Sequence, residues 1–229
     1  MYWQDSKDRK QAYVVPDDIV DLSFRVQCEQ LPLDHAHDLS QAIQTQLPWI
    51  ADEPLAGIHL IHGAESGNGW IRPQDPSALL SLSRRTRFTL RLPKQRVAAA
   101  MQLEGRRIQV GDHELVLSQP QEKLLSSHTT IFARYIATDH LTDEGAFLEE
   151  AAELLSQQGI QARNMISGRA HVLRMPEHNL ATRSLMVANL DVEESVHLQQ
   201  HGLGTGRKVG CGLFLPHKGI DAVRQSQEK

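Results

Sequence analysis

An α+β chain made of two successive βαββαβ units is what the sequence predicts, and three observations predict it. Period-two alternation of apolar and polar residues opens each half of the chain, first at 20–29 and again at 131–136. An amphipathic helical stripe follows each of those strands. A polar stretch with one proline, 119–127, separates the halves, after which the order of elements starts again. Strand, helix, two strands, helix, strand is the ferredoxin-like arrangement, shared by RRM-like domains.

The elements follow in order. Residues 1–16 read as a loose arm. In the first strand Val20, Leu22, Phe24, Val26 and Cys28 face one way, and Asp21, Ser23, Arg25, Gln27 and Glu29 the other. The run LPLDHAHDLSQAIQTQLPW reads as a helix, with Asp34 as its N-cap candidate. Leu39, Ile43 and Leu47 make its apolar stripe, and Pro48 ends it. Residues 51–77 are rich in glycine and proline, with a short strand at Ile58–Ile61. In SLSRRTRFTLRLP, Phe88, Leu90 and Leu92 alternate with Arg85, Arg87, Thr89 and Arg91, which predicts a strand with a basic outer face. A helix carrying Val97, Ala100, Met101 and Leu103 follows, and 107–118 alternate across a turn at Gly111-Asp112. The second half reads as a strand at Ile131–Ile136, a helix at Glu144–Gln157 and strands at Arg163–Met175 and Asn179–Leu190. A short helix at Val192–His201 and a last strand at Leu213–Leu215 complete it. The units are 17–120 and 128–218, packed together without a long linker.

Composition narrows the function classes. The chain has 229 residues, 40% of them apolar, enough for real cores. The net charge of −4 means that no global field draws it onto nucleic acid, so any such site is local. Two distant cysteines, Cys28 and Cys211, with no CxxC, argue for a reducing cytoplasm and against a disulfide scaffold or a cysteine-rich zinc site. The N-terminal MYWQDSKDRKQ is too polar for a secretory signal, and no apolar run reaches the roughly 18 residues of a membrane span.

Three stretches carry candidate chemistry. His35 and His37 fall in the first turn of the first helix, where free N–H groups and positive potential attract phosphate. An imidazole there titrates near neutral pH and can move a proton. From Arg84 to Arg107 there are eight cations and one acid, a local patch in an acidic protein. The run GLGTGRKVGCGLFLPHK places Gly202, Gly204, Gly206, Gly210 and Gly212 around Arg207 and Lys208 and ends on His217 and Lys218. Exposed backbone N–H groups beside two cations suit a phosphate. Its spacing fits neither a mononucleotide nor a dinucleotide loop. His59 and His62, three apart on a strand, make a weak metal pair.

These stretches resemble a known family: the CRISPR-associated endoribonucleases that process repeat RNA, in the RAMP superfamily of tandem ferredoxin-like proteins. The likeness is to the MYXAN-type subtype. It rests on LPLDHAHDLSQAI, GIHLIHG, SRRTRFTLRLP and LQQHGLGTGRKVGCGLFLPHK and spans roughly 18–218. The resemblance implies metal-independent cleavage of a CRISPR repeat in the precursor transcript, leaving a 2′,3′-cyclic phosphate and a 5′-hydroxyl, with no cofactor. It implies His35 as the acid–base residue, with His37 as second choice. It also implies RNA contact by the glycine-rich loop, Gly202, Gly204, Gly206, Arg207, Lys208 and Gly210, with His217 and Lys218. Arg84, Arg85, Arg87 and Arg91 are the expected contacts from the basic strand. Precursor and mature guide RNA are the partners so implied, with room for other CRISPR-associated proteins of an effector complex and no role for a membrane. Some relatives place a tyrosine and a lysine near the histidine, and the helix from Asp34 to Leu47 holds neither. The second catalytic group therefore stays open. Two other readings stand beside this one. The first is a non-catalytic RNA-binding subunit of a ribonucleoprotein. The second is a metal-dependent hydrolase using His35, His37, His59 and His62.

Overall fold

A computed structural model of the chain describes residues 13–63 and 78–217. Residues 1–12 of the expected N-terminal arm, residues 64–77 of the glycine- and proline-rich stretch 51–77, and Lys218 lie outside the described residues.

The first half forms strand β1 (Ile19–Gln27), a short ribbon of β2 (Gln30–Pro32) with β4 (Leu79–Ser81), and helix α1 (Ala36–Gln46). Strand β3 (Gly57–Ile58), strand β5 (Arg87–Pro93), one helical turn α2 (Val97–Ala100) and the hairpin β6 (Arg107–Val110) and β7 (His113–Leu124) complete it. Its antiparallel sheet runs β3-β5-β1-β7-β6. The second half forms β8 (Ile131–Ala137), α3 (Glu144–Gln157), β9 (Asn164–Leu173), β10 (Leu180–Ala188), α4 (Val192–His201) and β11 (Leu215–Pro216), with its sheet ordered β11-β8-β10-β9. Apart from the extra edge strand β6, the two sheets share one plan. The last strand pairs with the first, the first with the third, and the third with the second.

Alternation decides which sheet face is buried. Val20, Leu22, Phe24 and Val26 turn inward with Phe88, Leu90 and Leu92, and Leu39 and Ile43 of α1 cover them. A separate core of Ile131, Ala133, Phe147, Ala151, Leu155, Leu185, Leu198 and Phe214 fills the second half. Each large apolar side chain so buried contributes roughly 1.5–3 kcal/mol. α3 is capped by Asp143, whose carboxylate accepts the Ala146 N–H at 3.0 Å. α4 opens with a capping box between Asp191 and Glu194. No helix among the described residues is long and apolar enough to cross a membrane.

Several elements depart from expectation for local reasons. Asp34 does not cap α1; His35 occupies that position without a side-chain bond to the helix N–H groups, and Asp34 meets Arg174 at 3.6 Å. The expected connection 119–127 is strand as far as Leu124, because a bulge absorbs Gln119 (φ 50) and the donorless Pro120 while pairing with β1 continues. The helix after β5 breaks into 3-10 turns on either side of α2. The final strand starts only at Leu215, and Leu213 and Phe214 before it are buried in the core.

Candidate functional site

The face of the N-terminal sheet away from α1 is set by the polar members of the alternation. Register places Asp21 opposite Arg91, Ser23 opposite Thr89, and Arg25 opposite Arg87. On the other flank Lys123 pairs with Asp21 and Gln121 with Ser23. Arg84, Arg85 and Arg25 are exposed. Arg87 is half-buried and donates to the Ser23 hydroxyl at 2.7 Å and to Gln121 Oε1 at 2.9 Å. Like charges directly opposite in a sheet repel, so the Arg25–Arg87 pair favours an anion above it. Among the described residues, one concavity borders these arginines at the end of β1 and another lies on the face itself. The first, of about 650 Å³, is lined by Arg25, Cys28, Leu82 and Arg84. The other, of about 450 Å³, is lined by His59, His62, Arg87 and Lys123 and closed from the second half by Leu215 and Pro216.

Arg91 does something else, and it corrects the expectation of an RNA-facing residue. It is fully buried, because α4 and β11 cover this end of the face. Its guanidinium grips Asp21 with two bonds of 2.8 and 2.9 Å. Its remaining nitrogen donates to the carbonyls of Gln199 and Phe214 at 2.9 and 2.8 Å. One side chain thus joins both halves. Burial alone would raise the Asp21 carboxyl, but the Arg91 charge and hydrogen bonds outweigh it and hold its pKa below the usual value. His59 lies 3.9 Å from Asp21. Burial, then the Arg91 charge, push its pKa down to about 4 against the pull of Asp21, so at neutral pH the contact is not an ion pair.

The glycine-rich loop is likewise turned inward. Arg207 donates to the carbonyls of Leu55 and Gln200 at 2.9 and 3.0 Å. Lys208 donates to those of Glu53 and Ala56 at 2.5 and 2.7 Å. Burial, then Arg207, lower the Lys208 pKa to about 8, and burial lowers Arg207 to about 10. Gly210 has φ 88, and a Cβ there would come within 2.5 Å of Leu60. The glycines permit this close approach between the halves, and the two cations face carbonyls rather than solvent. Gly204 is exposed, Gly202 is buried, and Gly206 is half-buried. His217 is exposed beside Phe132, its ring 6.1 Å away.

The two candidate histidines are placed differently. His35 is 2% exposed. Its Nδ1–H donates to the Pro32 carbonyl at 2.9 Å, and its Nε2 accepts the Ile61 N–H at 3.1 Å. Both ring nitrogens hold backbone, so His35 ties the start of α1 to the segment after β3 and is not presented to a phosphate. His37, two residues on, is half-exposed in the first turn. Between them Ala36 packs against Tyr135, Leu173 and Cys211. The Tyr135 ring lies 6.1 Å from that of His62 and 5.6 Å from that of His171. The first turn of α1, the segment 60–62, strands β8 and β9 and the end of the glycine loop therefore meet at one seam.

Sequence reasoning missed Arg25, Lys123, Tyr135 and His171, and weighed His62 only as half of a weak metal pair. The parity of β1 could have found Arg25. Nothing local could have found Tyr135 and His171, which tertiary packing brings in.

Comparison with known proteins gives concordant results. A family model described as Cas6 Crispr matches residues 20–219. The CRISPR-associated endonuclease Cas6 of Myxococcus xanthus is 32% identical over 197 residues, covering 86% of this chain and 81% of the relative. Among solved structures, a CRISPR-associated protein Cas6 aligns with TM-score 0.59 at 12% identity, over 87% of this chain and 100% of its own. A RAMP protein binding different RNA substrates aligns at 0.61 and 11%, over 87% and 100%. A Cas6-related protein from Pyrococcus furiosus aligns at 0.60 and 10%, over 87% and 99%.

Proposed function

The chain belongs to the Cas6 family, and from that premise we propose that it is an endoribonuclease that cuts CRISPR precursor RNA within the repeat to release guide RNAs. The observation that carries this reading is the uncovered basic row of Arg84, Arg25, Arg87 and Lys123. It continues into the cleft lined by His62, whose ring neighbours Tyr135 at the first turn of α1. Arginines on a sheet face with few aromatics suit recognition through phosphates and shape.

The reaction needs no metal in this reading. The ribose 2′-oxygen attacks the adjacent phosphorus in line, the bond to the 5′-oxygen breaks, and a cyclic 2′,3′-phosphate and a 5′-hydroxyl result. His37 takes the 2′-hydroxyl proton or supplies one to the leaving oxygen, a role the buried and doubly bonded His35 is poorly placed to fill. Acid–base help of this kind contributes about 10²–10⁴-fold. Charge developing on the phosphoryl oxygens would be met by Arg174, which is exposed beside α1.

The test is incubation of the purified chain with repeat RNA from its own locus in EDTA. Cleavage to cyclic-phosphate and 5′-hydroxyl ends is expected, and a 2′-deoxy substitution at the scissile nucleotide should block it. Cleavage that appears only with a divalent metal overturns the mechanism. Tight binding without cleavage in any buffer would favour the second reading, a non-catalytic RNA-binding subunit, which the engagement of both His35 nitrogens makes worth keeping.

A further inference from the structure

The second sheet carries a surface feature that the basic row does not explain. Register sets Leu215 opposite Phe132, Phe132 opposite Met186, and Met186 opposite Ile166. One residue from each of the four strands therefore stands in a single row. Their neighbours along the strands, Ile131, Ala133, Leu185 and Val187, turn into the core with Phe147 of α3 and Leu198 of α4, so the row looks the other way. Ile166 is 56% exposed and Leu215 40%, with Phe132 and Met186 half-buried between them. Apolar side chains exposed singly need no explanation, but a contiguous set does. Of the five phenylalanines, all among the described residues, Phe24, Phe88, Phe147 and Phe214 are buried and Phe132 is the one that reaches solvent. The His217 ring lies 6.1 Å from that of Phe132 at 57°. At that tilt the imidazole walls the phenyl ring without lying flat over it. The His217 N–H donates to the Thr130 carbonyl at 3.0 Å, which holds the histidine beside β8.

We propose that Phe132 stacks one unpaired nucleobase of the repeat RNA, with Met186 and Leu215 as the apolar bed on either side and His217 at its edge. An open sheet with an aromatic on a central strand is a surface on which unpaired bases lie, and every base offers it a π-face. The cleft joins this row to the phosphate contacts, because Leu215 and Pro216 line it together with Arg87 and Lys123. A protein partner fits less well. A stable protein interface takes about 800 Å² from each side, whereas this stripe is one residue deep. Asn164 and His217, on the two outer strands, flank it with exposed polar groups. The inference rests on the RNA-processing reading above. It adds to that reading a residue that tells a nucleotide free of pairing from one locked in a helix.

The experiment uses the full chain and repeat RNA from its own locus, with a 2′-deoxy scissile nucleotide so that binding is read without cleavage. Phe132→Ala should weaken binding by about 5- to 100-fold. The slope of log affinity against log salt should stay as it is, since no charge is lost. Phe132→Leu keeps the apolar bulk and removes the flat ring, so it guards against a folding defect and should lose most of the same affinity. Phe132→Tyr keeps the ring and should bind like the wild type. A scan of single abasic sites along the repeat should find one nucleotide whose base matters to the wild type and no longer to Phe132→Leu. 2-Aminopurine at that nucleotide should be quenched by the wild type and not by the variant. Wild-type affinity in Phe132→Leu, or no abasic site coupled to Phe132, would overturn the proposal and leave the RNA-processing reading standing. Self-association of the wild type that Phe132→Leu abolishes, with RNA affinity unchanged, would mark the stripe as a contact between copies and overturn it too. No RNA binding by the wild type would sink both readings.

Discussion

The N-terminal sheet face and the glycine-rich loop both carry clustered cations, and the molecule uses them in opposite ways. On the sheet, Arg84, Arg85 and Arg25 reach solvent, and Arg87 is braced by neutral partners that leave its charge uncompensated. In the loop, Arg207 and Lys208 end on four backbone carbonyls. Only a cationic head group that borders open solvent is available to a phosphate. The difference is set by what lies opposite. Arg25 and Arg87 each border a concavity, whereas the loop is pressed onto residues 53–60. Clustered cations in a sequence mark either an anion site or a joint between parts, and coordinates tell which.

The comparison can be broken or sharpened experimentally. The largest effect is expected at the joint. Arg91→Ala strands the Asp21 carboxylate in a buried site and should cost about 3–5 kcal/mol in urea unfolding. Arg91→Lys keeps the charge but loses the fork and should recover only part of it. Next comes acid. His59 has a folded pKa near 4 against 6.5 unfolded. Between those values the unfolded chain binds a proton that the folded chain does not. Stability is therefore full above about pH 6.5 and falls as pH drops toward 4, by up to about 3 kcal/mol. A His59→Gln variant should flatten that window in a pH series of thermal melts. Third is the loop backbone. Gly212 has φ 68, and a Cβ there would strike the Leu203 carbonyl. Gly212→Ala should cost about 1–3 kcal/mol without changing the salt dependence of RNA binding. The smallest effect on folding is expected on the open face. Arg85→Gln should leave stability within about 0.5 kcal/mol and lower the slope of log affinity against log salt by about 1. If Arg85→Gln unfolded the protein, or if Lys208→Met changed only the salt slope, the assignment of the two regions would be reversed.

Much of the fold was legible because it is written in periodicity. The boundaries of α3 and α4 match the apolar stripe and its caps residue for residue, and β1 and β8 follow their alternation. What periodicity cannot see is the neighbour across a seam. The pattern put Arg91 on the same face as Arg87, correctly, yet only the docking of α4 and β11 makes one buried and the other wet. The position of His35 at the start of α1 was likewise read from the sequence, but its two backbone partners come from Pro32 at the end of β2 and from Ile61, twenty-six residues on. Lys123 was hidden for a third reason: a bulge rescued a strand that a proline argued against.

The bidentate grip of Arg91 on Asp21, with its two carbonyl contacts across the divide, has a mechanical corollary. Its anchors are main-chain atoms at 199 and 214, so the gape between the two lobes cannot be retuned by swapping surface side chains.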